Sequence, residues 1–309
     1  GYIDDFRLTI NIARYTGNFT VPTQAYPNAG FVGSSSYDPF FFSTSLLLHM
    51  DGSNGGTTFT DSSLNGLTVT PTNATTSTTQ VKYGTASGYF NGSGYLTIAA
   101  NSDLTFPGDF TVEGWYYLTS SPSFAMLLGD ANADDYLSVR ANTIEACIGS
   151  GGSAIYPTWS FTSSLNTWYH FALSRSGTTV RMFINGNQLS GSVSTSNQFL
   201  DSGAAIKIGA YGTSTYPFTG YLDDFRFTKG VCRYTGNFTP PTAAFLNAGP
   251  PFAYWNPSDK DSGITLNAQD LTATANATGW KLVRGTMGKA SGKYYWEIQS
   301  NNKIGRAHV

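Results

Sequence analysis

The sequence predicts an all-β protein, with two packed antiparallel sheets over most of the chain. Three observations point there. Short runs of alternating apolar and polar residues recur along the chain, each bounded by turn residues. Gly, Ser, Thr and Asn are abundant and aromatics make up 15% of the 309 residues, a profile of strands joined by turns. No window between residues 45 and 249 keeps a helical period.

The strands are read in order as follows. Ser45–Met50 opens the set. Ser87–Phe90 and Tyr95–Ile98 flank Asn91-Gly92-Ser93-Gly94, a hairpin signal. Phe110–Leu118 places Phe110, Val112 and Tyr116 on one face and Thr111, Glu113 and Trp115 on the other. Ala125–Gly129, Tyr136–Arg140 and Thr143–Ile148 follow. Trp168–Ser174 groups Tyr169, Phe171 and Leu173. Thr179–Ile184 runs into Asn185-Gly186, a type I′ turn signal. Ala205–Gly209 and Tyr221–Thr228 close the series. Past residue 250, Ile264–Leu266, Leu271–Ala273 and Tyr294–Ile298 read as further strands.

An internal repeat sets the boundaries. Residues 1–30 and 220–249 are identical at twenty of thirty positions, at a constant offset of 219. Each copy therefore ends a module, and the chain reads as a piece of a tandem array. Residues 1–30 are the tail of a preceding module, 31–44 a linker with an aromatic cluster, and 45–249 a complete module. Pro250-Pro251 marks a break, with 250–302 as a separate, incomplete domain. Residues 303–309 (KIGRAHV) match the translation of a common sequencing-library adapter and are set apart as non-native.

Composition removes several classes of function. Seventeen basic against nineteen acidic residues, net −2, give no footprint for nucleic acid or for an anionic membrane. The longest apolar stretch, Pro39 to Met50, is too short to span a bilayer. Cys147 and Cys232 offer neither a disulfide framework nor metal spacing and are expected to be small buried hydrophobes. Glu occurs only at 113, 145 and 297, and His only at 49, 170 and 308, so there is little material for acid–base chemistry.

Seven motifs carry a resemblance, in order over residues 45–249. They are SLLLHMDGSNGGTTFTDSS (45–63), ASGYFNGSGYLTI (86–98), FTVEGWYY (110–117), NTWYHFALSRSG (166–177), VRMFINGNQL (180–189), IKIGAYG (206–212) and GYLDDFRFTKGVCRYTGNFTPPTAAF (220–245). Together they resemble the laminin-G-like jelly-roll modules of the concanavalin A-like lectin/glucanase superfamily. Residues 252–299 resemble the start of a SPRY domain. The resemblance implies a two-sheet antiparallel jelly-roll sandwich. It also implies a setting in a phage tail or virion protein, or an extracellular or cell-surface protein. Glycans, host-surface receptors and neighbouring modules are the implied partners, with a structural calcium ion as the one candidate cofactor.

Candidate sites are weighed on these terms. Hydrolysis needs two carboxylates flanking the scissile bond. The Glu-x-Asp-x-x-Glu pattern of laminarinase-like enzymes is absent. Asp134-Asp135 and Asp223-Asp224 are adjacent pairs that would point to opposite faces of a strand, so a non-enzymatic role is expected. Glu113 and Arg226, mid-strand charges, are expected to pair in a structural polar core with Asp223, Asp224 or Arg175. Asp51, Asp61 and Asn65 read either as calcium loops or as turns held by side-chain-to-backbone bonds. Tyr136, Tyr156, Trp159, Tyr211 and Tyr216, on predicted loops, are the candidate ligand-binding aromatics, since binding pockets join apolar walls to a few polar groups. Residues 233–245, with Tyr234, Phe238, Pro240-Pro241 and Phe245, read as an extended strap over the sandwich. Two functions stay open: an adhesion module that binds a glycan or receptor, and a structural spacer.

Overall fold

The computed structural model describes residues 37–132, 134–149, 151–201, 203–213, 216–249, 255–266, 273–275 and 282–285. The first copy of the repeat (1–30), the strand expected at 294–298 and the segment 303–309 lie outside the described residues.

Fourteen strands build the main body: β1 (Thr44–Leu48), β2 (Val69–Ser77), β3 (Ser87–Ile98), β4 (Phe110–Leu118), β5 (Ala125–Asp130), β6 (Tyr136–Val139), β7 (Thr143–Cys147), β8 (Thr158–Ser160), β9 (Trp168–Ser176), β10 (Thr179–Ile184), β11 (Asn187–Gln188), β12 (Val193–Ser194), β13 (Ile206–Ile208) and β14 (Thr219–Lys229). Their pairings are antiparallel, in the order β11-β10-β9-β4-β14-β3-β13-β5-β6-β7-β8, with β1 on β14, β2 on β3 and β12 on β10. The fold is a concanavalin A-like jelly-roll sandwich. One layer is centred on β9-β4-β14, the other on β13-β5-β6-β7. Farther along, β15 (Trp255–Lys260) pairs with β18 (Val283–Gly285), and β16 (Ile264–Leu266) with β17 (Ala273–Ala275).

The two layers are joined by continuous hydrogen bonding through β3, where the expected hairpin is replaced by a bend. Phe90 pairs with Ala74 and Tyr95 with Thr72, so Asn91–Gly94 bulges out opposite the single residue Asn73. Asn73 takes φ 51° and Gly92 φ 84°, and a Cβ on Gly94 would lie 2.7 Å from the Asn73 carbonyl oxygen. The residues that favour a hairpin turn also favour a bulge, because both need positive φ and close backbone approach. The first half of β3 then pairs with β14 and the second with β13.

The core lies between the layers. Phe90, Tyr116, Phe171, Leu222 and Phe225 from one side meet Leu127, Leu137, Ile144 and Trp159 from the other. Alternation places Phe110, Val112 and Tyr116 of β4 inward, yet all nine β4 residues are buried. A second cover lies over part of the outer face of the β9-β4-β14 layer, at Phe183, His170 and Asp224. Residues 231–249 run across it without regular structure. Tyr234 and Phe238 stack at 3.6 Å, and Phe238 meets Phe183 and His170. The Phe245 backbone N–H donates to Asp224 Oδ2 at 2.6 Å. Ahead of β1, the Asp38 N–H donates to the Ala248 carbonyl at 2.8 Å, so the segment leading into the sandwich lies beside the one leaving it.

Candidate functional site

The outer face of β5, β6 and β7 carries an aromatic shelf. Met126, Tyr136 and Cys147 form its base, with Phe124 and Tyr211 packed on them. Tyr136 lies 5.3 Å from Tyr211 and 6.1 Å from Phe124, and Phe124 stacks on Tyr216 at 4.8 Å. Tyr211 and Tyr216 lie 6.3 Å apart with nearly parallel rings. Gly129 makes the arrangement possible, because a Cβ there would collide with the Cβ of Tyr211. Polar groups anchor the base. The Tyr136 hydroxyl donates to Glu145 Oε1 at 2.6 Å, Arg140 Nη2 donates to the same oxygen at 3.1 Å, and the Arg140 guanidinium lies 3.6 Å over the Phe124 ring.

A cleft of about 240 Å³ opens beside Phe124, lined among others by Ser120, Ser121, Ser123, Pro217 and Thr219. Tyr216 is 46% exposed and Tyr156, at the margin, 62%. Burial pushes the Cys147 thiol up to about 12, with Tyr156 opposing the rise. Four of the five aromatics singled out in the sequence therefore lie in one region. Trp159 does not. It is 1% exposed on β8 and points into the core, with Nε1 donating to the Gly191 carbonyl at 2.6 Å. Cys232, expected to be buried, is half-buried. Phe124 and the three serines were missed; only their place in a Ser/Pro loop marked them.

The carboxylates near the shelf hold loops in place. Asp130 accepts the N–H groups of Asp134 and Asp135, and Asp135 accepts those of Gly149 and Asp201. Asp134 and Asp135 precede β6, so the expectation of opposite strand faces does not apply to them. Burial, reinforced by Asp201 and Asp130, raises Asp135 to about 7 against the pull of its backbone donors. A raised carboxyl beside a cleft is a feature of catalytic acids. Asp135 itself is fully buried with both oxygens engaged, which makes it a tie between loops.

The calcium reading does not fit the donor set. Asp61 Oδ1 accepts the N–H groups of Leu47 and Ser63, and Oδ2 accepts the Ser63 hydroxyl and the Leu67 N–H. Asn65 turns its amide nitrogen to the Ser45 carbonyl at 3.0 Å. Asp51 is occupied elsewhere, by Thr85 and the Ala86 N–H. These carboxylates act as turn locks, and no group of three or more His, Cys, Asp or Glu among the described residues is placed to hold a metal. Saturating calcium is therefore expected to leave the melting temperature unchanged. A rise that EDTA reverses would contradict this.

Glu113 and Arg226 pair across β4 and β14, with Nη2–Oε1 2.7 Å and Nε–Oε1 3.0 Å. The partners expected from sequence are not the ones present. Asp38, Arg233, His170 and Tyr234 complete the network. Asp38 Oδ2 lies 3.0 Å from Arg226 Nη1 and 2.7 Å from Arg233 Nη2, and the Tyr234 hydroxyl donates to Glu113 Oε2 at 2.8 Å. His170 Nε2 stands 3.4 Å from the same oxygen. Burial alone would raise Glu113, but Arg226, His170 and Arg233 outweigh it and hold the carboxyl far below its usual range. Arg233 and Arg226 likewise overcome burial at Asp38 and lower it. Arg175 instead donates to the Gly177 and Asn197 carbonyls.

The Asp pair of β14 separates at a bulge, where Asp224 takes φ 47°. Asp223 accepts the N–H groups of Lys82 and Tyr83, while Asp224 Oδ1 lies 2.6 Å from His49 Nδ1.

Comparison with known proteins places the sandwich. Residues 90–232 match the profile of Laminin_G_3, described as the Concanavalin A-like lectin/glucanases superfamily. The binding domain of Paraclostridial Mosquitocidal Protein 1 superposes with a TM-score of 0.50 at 16% identity, over 61% of this chain and 49% of that one. Domain 4 of AbnA, a GH43 extracellular arabinanase from Geobacillus stearothermophilus, seen in complex with arabinotriose, gives 0.48 at 15% identity over 64% and 95%. The binding domain of Botulinum Neurotoxin DC in complex with SialylT gives 0.46 at 11% over 61% and 48%. The chain spans about half the length of the toxin binding domains. No curated protein matches the sequence. No helix among the described residues is long and apolar enough to cross a membrane.

Proposed function

We propose that the chain is a non-enzymatic binding module that docks a glycan, or a glycosylated surface receptor, on the aromatic shelf. One observation carries this reading: Phe124, stacked on the exposed Tyr216, lines a cleft together with Ser120, Ser121 and Ser123. Sugars present apolar ring faces and hydroxyls together, and such sites join an apolar wall to a few polar groups. The toxin binding domains and the arabinanase domain of similar fold support a binding role as an analogy. Among the described residues, the engagement of Glu145 by Tyr136 and Arg140, and of Asp130 and Asp135 by backbone donors, supports a role without catalysis. The tandem repeat fits an array displayed on a phage tail, virion or cell surface, where neighbouring modules are further partners.

A glycan array probed with the full chain tests this. Binding is expected, and Phe124→Ala or Tyr216→Ala should weaken it by about tenfold or more, since a stacked aromatic contributes on the order of 1 kcal/mol beyond its buried area. An unchanged signal in both variants would move the site elsewhere. Silence across the array, from a folded protein, would favour the spacer reading. Turnover of any oligosaccharide would overturn the non-enzymatic assignment.

A further inference from the structure

The layer opposite the shelf carries a second aromatic row. Tyr89, Tyr221, Tyr117 and Trp168 occupy directly paired positions on β3, β14, β4 and β9. Their sequence neighbours Phe90, Leu222, Tyr116 and Tyr169 face the core, so the row itself faces outward. Neighbouring ring centroids lie 5.1, 5.7 and 5.4 Å apart. Three strand spacings make a row about 14 Å long. Its outer members are the accessible ones, with Tyr89 36% exposed and Trp168 half-buried, while Tyr221 and Tyr117 form the floor between them at 8% each.

The positions one step along each strand are uncharged and polar: Asn91, Thr219, Thr119 and Asn166. Asn91 pairs with Thr219, whose carbonyl accepts the Thr119 N–H, and the Asn166 N–H donates to the Leu118 carbonyl. Asn91, Thr119 and Asn166 are exposed. Thr75 of β2 extends the aromatic row at the Tyr89 end. Neither row contains Asp, Glu, Lys or Arg. In the row on the other side, Asp223 is buried and Lys82 is drawn over the Trp115 ring at 3.9 Å.

We infer that this surface is a second ligand site, centred on the Tyr89–Trp168 row and adjoining the cleft of the shelf at Thr219, and that it takes an uncharged oligosaccharide laid across the strands. Aromatic faces supply the apolar contact, while the amide and hydroxyl row matches a neutral polyhydroxylated partner. A charged glycan would meet no counter-charge among the residues of the two rows, with Lys82 held over Trp115, and would lose hydration without compensation. A protein partner of ordinary surface composition would bring charged groups to the same mismatch.

The test uses the full chain, titrated with hexaoses of β-linked glucose, xylose and arabinose and, in parallel, with a sulfated and a sialylated oligosaccharide. Tryptophan fluorescence and calorimetry are the readouts. At least one neutral hexaose is expected to bind, and Trp168→Ala and Tyr89→Ala should each weaken it by about tenfold. Tyr89 is exposed enough for its variant to keep the wild-type melting temperature. Phe124→Ala and Tyr216→Ala should leave this binding intact, so loss of the shelf and loss of the row are read separately. The inference is overturned if no neutral hexaose binds, if binding survives both row variants, or if the acidic glycans bind as well as the neutral ones. It is also overturned if the row mediates a concentration-dependent dimer that Tyr89→Ala abolishes.

Discussion

Glu113→Gln is expected to lower the free energy of unfolding by about 3–5 kcal/mol, because it removes one partner of a buried ion network and leaves the others uncompensated. Arg226 and Arg233 would remain under the strap with Asp38 as their only carboxylate, and the Tyr234 hydroxyl would face an amide. Urea titration at neutral pH reads the loss as a shift in midpoint at constant slope. Asp38→Asn, nearer the surface, should cost less. A midpoint within error of wild type would show that the network contributes geometry without stability. The network also sets a pH limit. Glu113 and Asp38 titrate lower in the folded state than in the unfolded chain. Their contribution is complete above the unfolded carboxylate pKa, near 4, and is lost as pH falls through the folded values.

Asp223 is expected to act in the opposite direction. Burial, helped by the neighbouring Asp224 carboxylate, raises it to about 8 although the backbone N–H groups of Tyr83, Lys82 and Asp224 oppose the rise. Its Oδ1 has no hydrogen-bond partner among the described residues. A carboxyl raised on folding binds more protons in the native state, so stability is greatest below the unfolded pKa and declines as pH rises toward the folded one. Wild-type protein should lose roughly 2–4 kcal/mol between pH 5 and 8, with Asp135, raised to about 7, adding to the same slope. Asp223→Asn should flatten that decline while keeping the fold. Melting curves across the interval, wild type against variant, decide the matter. Parallel slopes would remove Asp223 as the cause.

The contrast between these two carboxylates shows what the sequence could convey. Alternation alone divided β4 into its two faces, because Phe110, Val112 and Tyr116 repeat at the strand period. The Glu113–Arg226 pair followed from two charges in mid-strand. Its other partners did not, since Asp38 and Arg233 lie 195 positions apart and meet only once both ends of the module are folded. β2 escaped notice because Pro71 and Asn73 interrupt a threonine-rich run, and its role is to bend with β3. Tyr136, Tyr211 and Tyr216 were legible as aromatics next to turn residues. Trp159 carried the same signal, but a three-residue edge strand turns it inward. Trp168 and Tyr89 were read as ordinary strand positions, because a row across a sheet joins residues that no local window contains.

The hydrogen bond between Asp38 and Ala248 has a consequence for how such a module combines with other proteins. The chain leaves the sandwich where it arrived. Such a unit can be grafted into a surface loop of an unrelated host while holding the two sides of that loop close together. Its own ends can be fused and new ones opened at an exposed tip such as Asn54-Gly55, with the sheet order preserved.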